Sequence, residues 1–190
     1  MKLLDTFWKG DRKRNTLLDD INDFYQKNNR MVYAYFLKVT GSQEESEELT
    51  QETFYQAVKS VHQFKQQSSL KTWLLQIARN VYRNNVRSWA RDQKLFSVSE
   101  DIEMHGDDTH NPLRISLHNQ SKNEIRSIFQ KLPDDYRDVL IFKEIEGLTH
   151  EEISRILGKT PQSTKVLLYR AKQKFKQLYE KEVVRYEDTI

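Results

Sequence analysis

Arg79, Arg83, Arg87 and Arg91 recur every four residues, with Asn80 and Asn84 beside them. On a helix this spacing lines the guanidinium groups along one slowly turning ridge. Like charges so placed disfavour an isolated helix by about 0.2–0.5 kcal/mol per pair, so the ridge calls for an anion, and phosphates are one. An Asn amide carries donors and an acceptor together, which suits the edge of an unpaired base. A solvated basic face balanced by glutamates of another helix is the plain alternative. The arginines alone leave the two readings even; the asparagines favour nucleic acid. A second cationic set, Lys165, Arg170, Lys172, Lys174 and Lys176 with Tyr169, is opposed only by Glu180 before Lys181. A third set has the opposite sign: Glu45, Glu47, Glu48 and Glu52 share one short stretch.

The elements that must position these groups read as helices. Five glycines and three prolines punctuate the chain, and no β-branched alternation is sustained. Leu17, Leu18, Ile21, Phe24, Tyr25, Val32, Tyr35, Phe36 and Val39 trace the apolar stripe of a first helix that stops at Gly41. Ser42 with Glu45 has capping-box spacing for a second helix, whose apolar face is Leu49, Phe54, Ala57, Val58 and Val61. A polar loop, Phe64 to Ser69, precedes a third helix that buries Trp73, Leu74, Ile77, Ala78 and Val81 and runs to about Ala90.

From Asp92 to Gln120 the periodicity disappears, and Glu100, Asp101, Glu103, Asp107 and Asp108 crowd a stretch that reads as a flexible acidic linker. Order returns with Ile125, Ile128, Phe129 and Leu132, and Pro133 opens the next helix with Asp134 and Asp135 at its positive end. Gly147 ends that helix. Thr149 with Glu152 caps a short one closed by Gly158, and Thr160-Pro161 start a long one with Thr164, Leu167, Leu168, Ala171, Phe175 and Leu178 inward. Short helix, turn, long helix is helix-turn-helix spacing, and a basic outer face on the second helix suits a major groove.

The expected fold is therefore all-α. Two small helical domains, residues 15–91 and 121–182, are joined by the linker 92–120, and the C-terminal one carries the helix-turn-helix. A net charge of +3 on 190 residues means that any nucleic-acid surface comes from segregated charge, not overall excess. The absence of cysteine rules out disulfides and thiolate metal sites and suits a reducing cytosol. The first residues lack a signal peptide's apolar run, and no later run spans a membrane, so a cytoplasmic protein with no membrane contact of its own is expected. His105, Asp107, Asp108 and His110 lie in the linker with nothing to fix their geometry, so no metal is expected. With no glycine-rich phosphate loop, nucleophile elbow or carboxylate pair, neither catalytic residues nor cofactors are expected.

Two stretches carry a family resemblance. Glu48-Leu49-Thr50-Gln51-Glu52-Thr53-Phe54 is similar to the D-L-x-Q-E-x-F pattern of the extracytoplasmic-function (ECF) sigma factors, with Glu48 in place of the usual Asp. Thr72-Trp73-Leu74-Leu75-Gln76-Ile77-Ala78-Arg79-Asn80 matches every fixed position of their T-W-L-x-x-I-A-x-N pattern. The resemblance covers most of the chain after Asn15. It implies an alternative sigma factor that binds core RNA polymerase and directs promoter-specific initiation by recognising and melting DNA, the catalysis being the polymerase's. By position, Glu48, Leu49, Gln51, Glu52 and Phe54 would bind the polymerase, and Arg79, Asn80, Arg83, Asn84 and Arg87 the melted minus-10 strand. Ser163, Lys165, Val166, Tyr169, Arg170 and Lys172 would face the minus-35 duplex. Asn84 stands where many relatives have Asp, Pro161-Gln162 where Val-Gly is common, and Leu167 where a basic residue is frequent. The family also implies an anti-sigma factor as partner. A stand-alone helix-turn-helix regulator is the main rival, and an adaptor that pairs its charged helices with other proteins is a more distant one.

Overall fold

The computed structural model describes residues 14–64, 67–96 and 125–187, with the side chains of 14–20, 89–96 and 182–187 left aside. All regular structure among these residues is helical. The N-terminal half is built from α1 (Arg14–Thr40), α2 (Gln43–Ser60), a short 3-10 turn (Val61–Gln63) and α3 (Leu70–Phe96). The C-terminal half holds α4 (125–131), α5 (Asp134–Leu140), α6 (His150–Leu157) and α7 (Pro161–Glu187). The N-terminal segment, the wall 65–66 of the polar loop and most of the linker, His105 to His110 included, lie outside the described residues.

Each boundary has a local cause. Gly41 turns between α1 and α2 at φ +78°, in the left-handed region that favours glycine. Ser42 caps α2 by accepting from the Glu45 backbone N–H at 3.3 Å. The box expected at this site is only half formed, because the Ser42 N–H donates to Thr40 Oγ1 instead of to Glu45. At α6 the box is complete: Thr149 accepts from the Glu152 N–H and Glu152 from the Thr149 N–H. Gly158 closes α6 at φ +65° in the left-handed region. Thr160 then caps α7 by accepting from the Ser163 N–H at 3.1 Å. Pro133 sits one position earlier than expected, as the cap of α5, where its carbonyl accepts from the Tyr136 and Arg137 N–H groups.

Past Leu140, α5 widens into a π turn, Ile141–Ile145, with the Glu146 N–H reaching the Ile141 carbonyl at 2.9 Å. This turn buries Ile141 and Phe142 completely. Phe142 stacks on Tyr35 of α1, ring centroids 5.6 Å apart and planes 16° off parallel. The two halves therefore share one apolar cluster, which runs from Phe24, Tyr35, Phe36 and Leu74 to Val139, Phe142, Ile153 and Ala171. The sequence reading foresaw the helices of each half but not this joint packing. Within the N-terminal half α1 lies along α2 and α2 along α3; within the C-terminal half α7 packs on α5 and α6; α3 and α6 touch across the junction.

Candidate nucleic-acid and polymerase interface

The α2 pattern divides by burial. Leu49 and Phe54 belong to the core, Phe54 packing edge-on against Phe24 and Tyr25 at centroid distances of 5.5 and 4.8 Å. Glu48, Gln51 and Glu52 point to solvent. The same helix crowds its carboxylates: partial burial, then Glu48 and Glu44, hold the Glu45 carboxyl above the usual glutamate range. Like-charge crowding on an exposed face is relieved by a cationic partner.

On α3, Asn80 and Asn84 are exposed and form one wall of a groove of about 690 Å³, with Asn85 and Ser88 further along it. Glu48, Leu49, Glu52 and Gln56 of α2 form the opposite wall. The Glu48 and Glu52 carboxylates and the Asn80 and Asn84 amides thus line a single groove. Arg87 is exposed and Arg83 partly so, while for Arg91 only the backbone is described. Trp73 is half-buried and packs on Phe64 with centroids 5.0 Å apart, as its apolar spacing predicts.

Arg79 departs from the expected ridge. It is 3% exposed, and its Nε donates to Asp138 Oδ2 and its Nη2 to Asp135 Oδ1, both at 2.7 Å. Tyr35 donates its hydroxyl to the other oxygen of Asp138 at 3.0 Å. Burial raises the Asp138 carboxyl above its usual range, with Arg79 opposing that rise, and it drives the Tyr35 phenol well upward. Nearby, Arg137 donates to the Tyr82 hydroxyl at 3.1 Å and to the Val39 carbonyl at 3.4 Å, and pairs with Asp134 at 2.6 Å. Sequence reasoning assigned Asp134 and Asp135 to the helix dipole and missed that Asp135 and Asp138 face a cation of the other half. Asp138 follows Asp134 by four positions and Asp135 by three, which puts it on a helix face with each, and that spacing was the available signal.

On α7, Lys165, Val166, Tyr169 and Arg170 are exposed, Tyr169 at 65%. Ser163 is exposed but held by the cap, its hydroxyl 2.8 Å from Thr160 Oγ1. Lys172 is exposed and pairs with Glu144 at 2.9 Å. Thr164 and Ala171 face inward and are fully buried, so one side of α7 is fixed and the basic side is free of core duty. Leu167 packs against the core, as an apolar residue at that spacing should.

Glu152 links the α6 cap to α3, accepting from the Thr72 hydroxyl at 2.9 Å and the Ser69 hydroxyl at 3.3 Å. The Thr149 backbone N–H, ahead of these hydroxyls, holds its carboxyl below the usual range. A carboxyl depressed in the folded state contributes stability that is complete above the unfolded value of about 4.3 and is lost as pH falls through the lowered one. Acid titration followed by hydrogen exchange at α6 should show its amides losing protection below about pH 4.3, and Glu152→Gln should flatten that dependence.

Comparison with known proteins bears on this arrangement. The Sigma-70 region 2 family model matches residues 24–92 and the Sigma-70 region 4 model residues 122–175. ECF RNA polymerase sigma factor SigM of Bacillus subtilis is 31% identical over 86% of this chain and 97% of its own length. RNA polymerase sigma factor YlaC of the same organism is 30% identical over 83% of this chain and 91% of its own. The sigma factor RpoE from Bartonella quintana, solved in complex with the anti-sigma factor NepR, has the same fold, with a TM-score of 0.68 at 22% identity over 83% of this chain and 97% of that one. CnrH, solved with the cytosolic domain of CnrY, aligns with a TM-score of 0.64 at 16% identity over 94% of this chain and 96% of its own.

An all-helical chain with a sigma-70 region 2 followed by a region 4 is a transcription initiation factor of the sigma-70 class. Within that class the chain belongs to the ECF RNA polymerase sigma factors. It is thus an alternative sigma factor that directs transcription initiation, and factors of this kind are not themselves enzymes. No helix among the described residues is long and apolar enough to cross a membrane.

Proposed function

We propose that this sigma factor divides its work between the two helical halves assigned above as domains. Glu48, Gln51 and Glu52 dock α2 on core RNA polymerase, with Leu49 and Phe54 holding that helix in place. Asn80 and Asn84 read unpaired bases of the melted minus-10 strand, while the outward Arg83 and Arg87 neutralise its phosphates; Arg79, paired with Asp135 and Asp138, stands apart from that ridge. Lys165, Val166, Tyr169 and Arg170, with Ser163 and Lys172 at the flanks, enter the minus-35 major groove. The observation that carries the reading is the shared groove: exposed amides on α3 stand across from exposed carboxylates on α2. A docked polymerase would therefore hold melted DNA against the residues that read it.

Each half offers only a few phosphate and base contacts. Docking both on one polymerase fixes their separation and lets two weak sites act as one specific reader. Opening the duplex then follows from trapping unstacked bases, without nucleotide hydrolysis by this chain. The factor works in the cytoplasm, where polymerase and promoters are, and an anti-sigma factor holds it inactive, as the RpoE–NepR complex illustrates for a protein of the same fold.

Run-off transcription with purified core polymerase and a promoter library tests this. Promoter-specific product is expected only when the chain is added. Lys165→Ala or Arg170→Ala should change which minus-35 sequences are selected, each lost base contact costing about 1–3 kcal/mol of discrimination. Identical transcripts with and without the chain would overturn the assignment.

A further inference from the structure

We propose that His150 is a further contact of this factor with promoter DNA, holding a backbone phosphate beside the minus-35 groove and taking up a proton from solvent as it does so. The proposal rests on the reading of α7 as the minus-35 face. In a helix-turn-helix the second helix enters the major groove while the first crosses the sugar-phosphate backbone. His150 is the first residue of α6, the first helix of the pair, and it touches α7 at Thr164, next to the exposed Lys165. Lys143 of the π turn acts on the same ring. Three basic side chains from three elements, Lys143, His150 and Lys165, are therefore neighbours on the side of the motif that meets the backbone.

The hydrogen bonds around the ring decide which nitrogen can hold an anion. Thr164 is fully buried, and its hydroxyl donates to the Pro161 carbonyl at 2.7 Å, with the His150 carbonyl more distant at 3.4 Å. A carbonyl thus takes its one proton, so the hydroxyl oxygen, 3.4 Å from His150 Nδ1, is the acceptor in that contact. Nδ1 then carries the hydrogen of the neutral ring, and Nε2 is left with a lone pair. The ring is half-buried with Nδ1 on its inner side, which leaves Nε2 outward. A phosphate oxygen is an acceptor as well. The two bond only once Nε2 gains a proton, so contact and protonation are one event.

Without DNA the surroundings favour the neutral ring. Partial burial, then Lys143 of the π turn and Lys165 of α7, hold the His150 imidazole below its ordinary range, with Glu151 of α6 itself opposing them. The positive end of the α6 dipole adds to the same bias. Lys143 is fixed in place, donating to the Leu148 carbonyl at 3.0 Å. DNA reverses the balance. A phosphate beside Lys165 cancels that repulsion and forms a charge-assisted hydrogen bond with the imidazolium. The imidazole pKa is thus lowered in the free chain and raised in the complex, so affinity climbs as pH falls from the bound-state value to the free-state one and levels off below it. Each unit between the two values is a tenfold gain in affinity.

The test uses the full-length chain on core polymerase and a labelled upstream duplex from a promoter that this complex transcribes. Measured against His150→Gln, which is neutral at every pH and subtracts the polymerase's own response, the wild type should gain about tenfold in affinity between about pH 8 and about pH 5.5. His150→Lys, charged throughout, should bind tightly at both. Thr164→Val removes the hydroxyl acceptor and frees the neutral ring to carry its hydrogen on Nε2, so it should flatten the dependence with His150 still present. Calorimetry in two buffers of different ionisation heat should register more proton uptake by the wild type than by His150→Gln. The same pH dependence in wild type and His150→Gln, or equal proton uptake by the two, overturns the proposal. Either result would leave promoter-specific transcription intact, whereas loss of that transcription in the wild type at every pH would overturn the functional reading instead.

Discussion

Transcript from core polymerase carrying the Asn80→Ala chain is expected to fall by about 10- to 100-fold on a cognate promoter, the loss of one base contact of about 1–3 kcal/mol. The reasoning begins with position. Asn80 is exposed on α3 and lines the groove shared with Glu48 and Glu52. Alanine is the better helix former and leaves no cavity at an exposed site, so the substitution should not weaken the fold. What disappears is the only chemistry the residue has, an amide able to donate and accept at a base edge. Polymerase binding by the variant should be unchanged, because the α2 carboxylates are untouched. Asn84→Ala, one helical turn on along the same wall, should give a similar loss with a different base affected. Undiminished transcript from both variants would mean that the amides read nothing.

The largest effect on stability is expected from Phe142→Ala. Phe142 is fully buried, it stacks on Tyr35, and it sits in the π turn where the cores of the two halves meet. Truncating such a ring costs about 3–5 kcal/mol, the transfer of the ring plus the cavity it leaves. For a chain of this size that corresponds to a fall in Tm of roughly 10 °C, read by circular dichroism at 222 nm. Because the ring bridges the halves, the same variant should also loosen their contact. A melting curve that superimposes on that of the wild type would show that the junction contributes nothing.

Local structure was legible where periodicity and capping chemistry agree. The α1 stripe from Phe24 to Val39, the glycine stops at positions 41 and 158, and the Thr149–Glu152 box all follow from short-range patterns, and each element is present. The exposure of Asn80, Asn84, Lys165, Tyr169 and Arg170 follows in the same way, since the apolar positions of a helix decide which faces remain outward. Long-range pairing was not legible. Arg79 shares the four-residue spacing of Arg83 and Arg87, and it is the arrival of Asp135 and Asp138 from another helix that sets it apart. Tyr35 reads as one more apolar position in α1, although its hydroxyl is spent on Asp138. The half-formed cap at Ser42 has a similar origin: Thr40 competes for the donor that Glu45 would otherwise take. The π turn at Ile141–Ile145 leaves no mark in composition, because a run of apolar residues serves an α-helix equally well.

The account depends most on this chain causing core polymerase to open a promoter, and permanganate footprinting of an assembled complex tests that directly. With polymerase and chain together, thymines around the minus-10 element should become reactive as the strands separate, and the signal should weaken with Asn80→Ala while the upstream duplex stays paired. The same thymines reacting equally with polymerase alone, or staying unreactive with both components present, would contradict it.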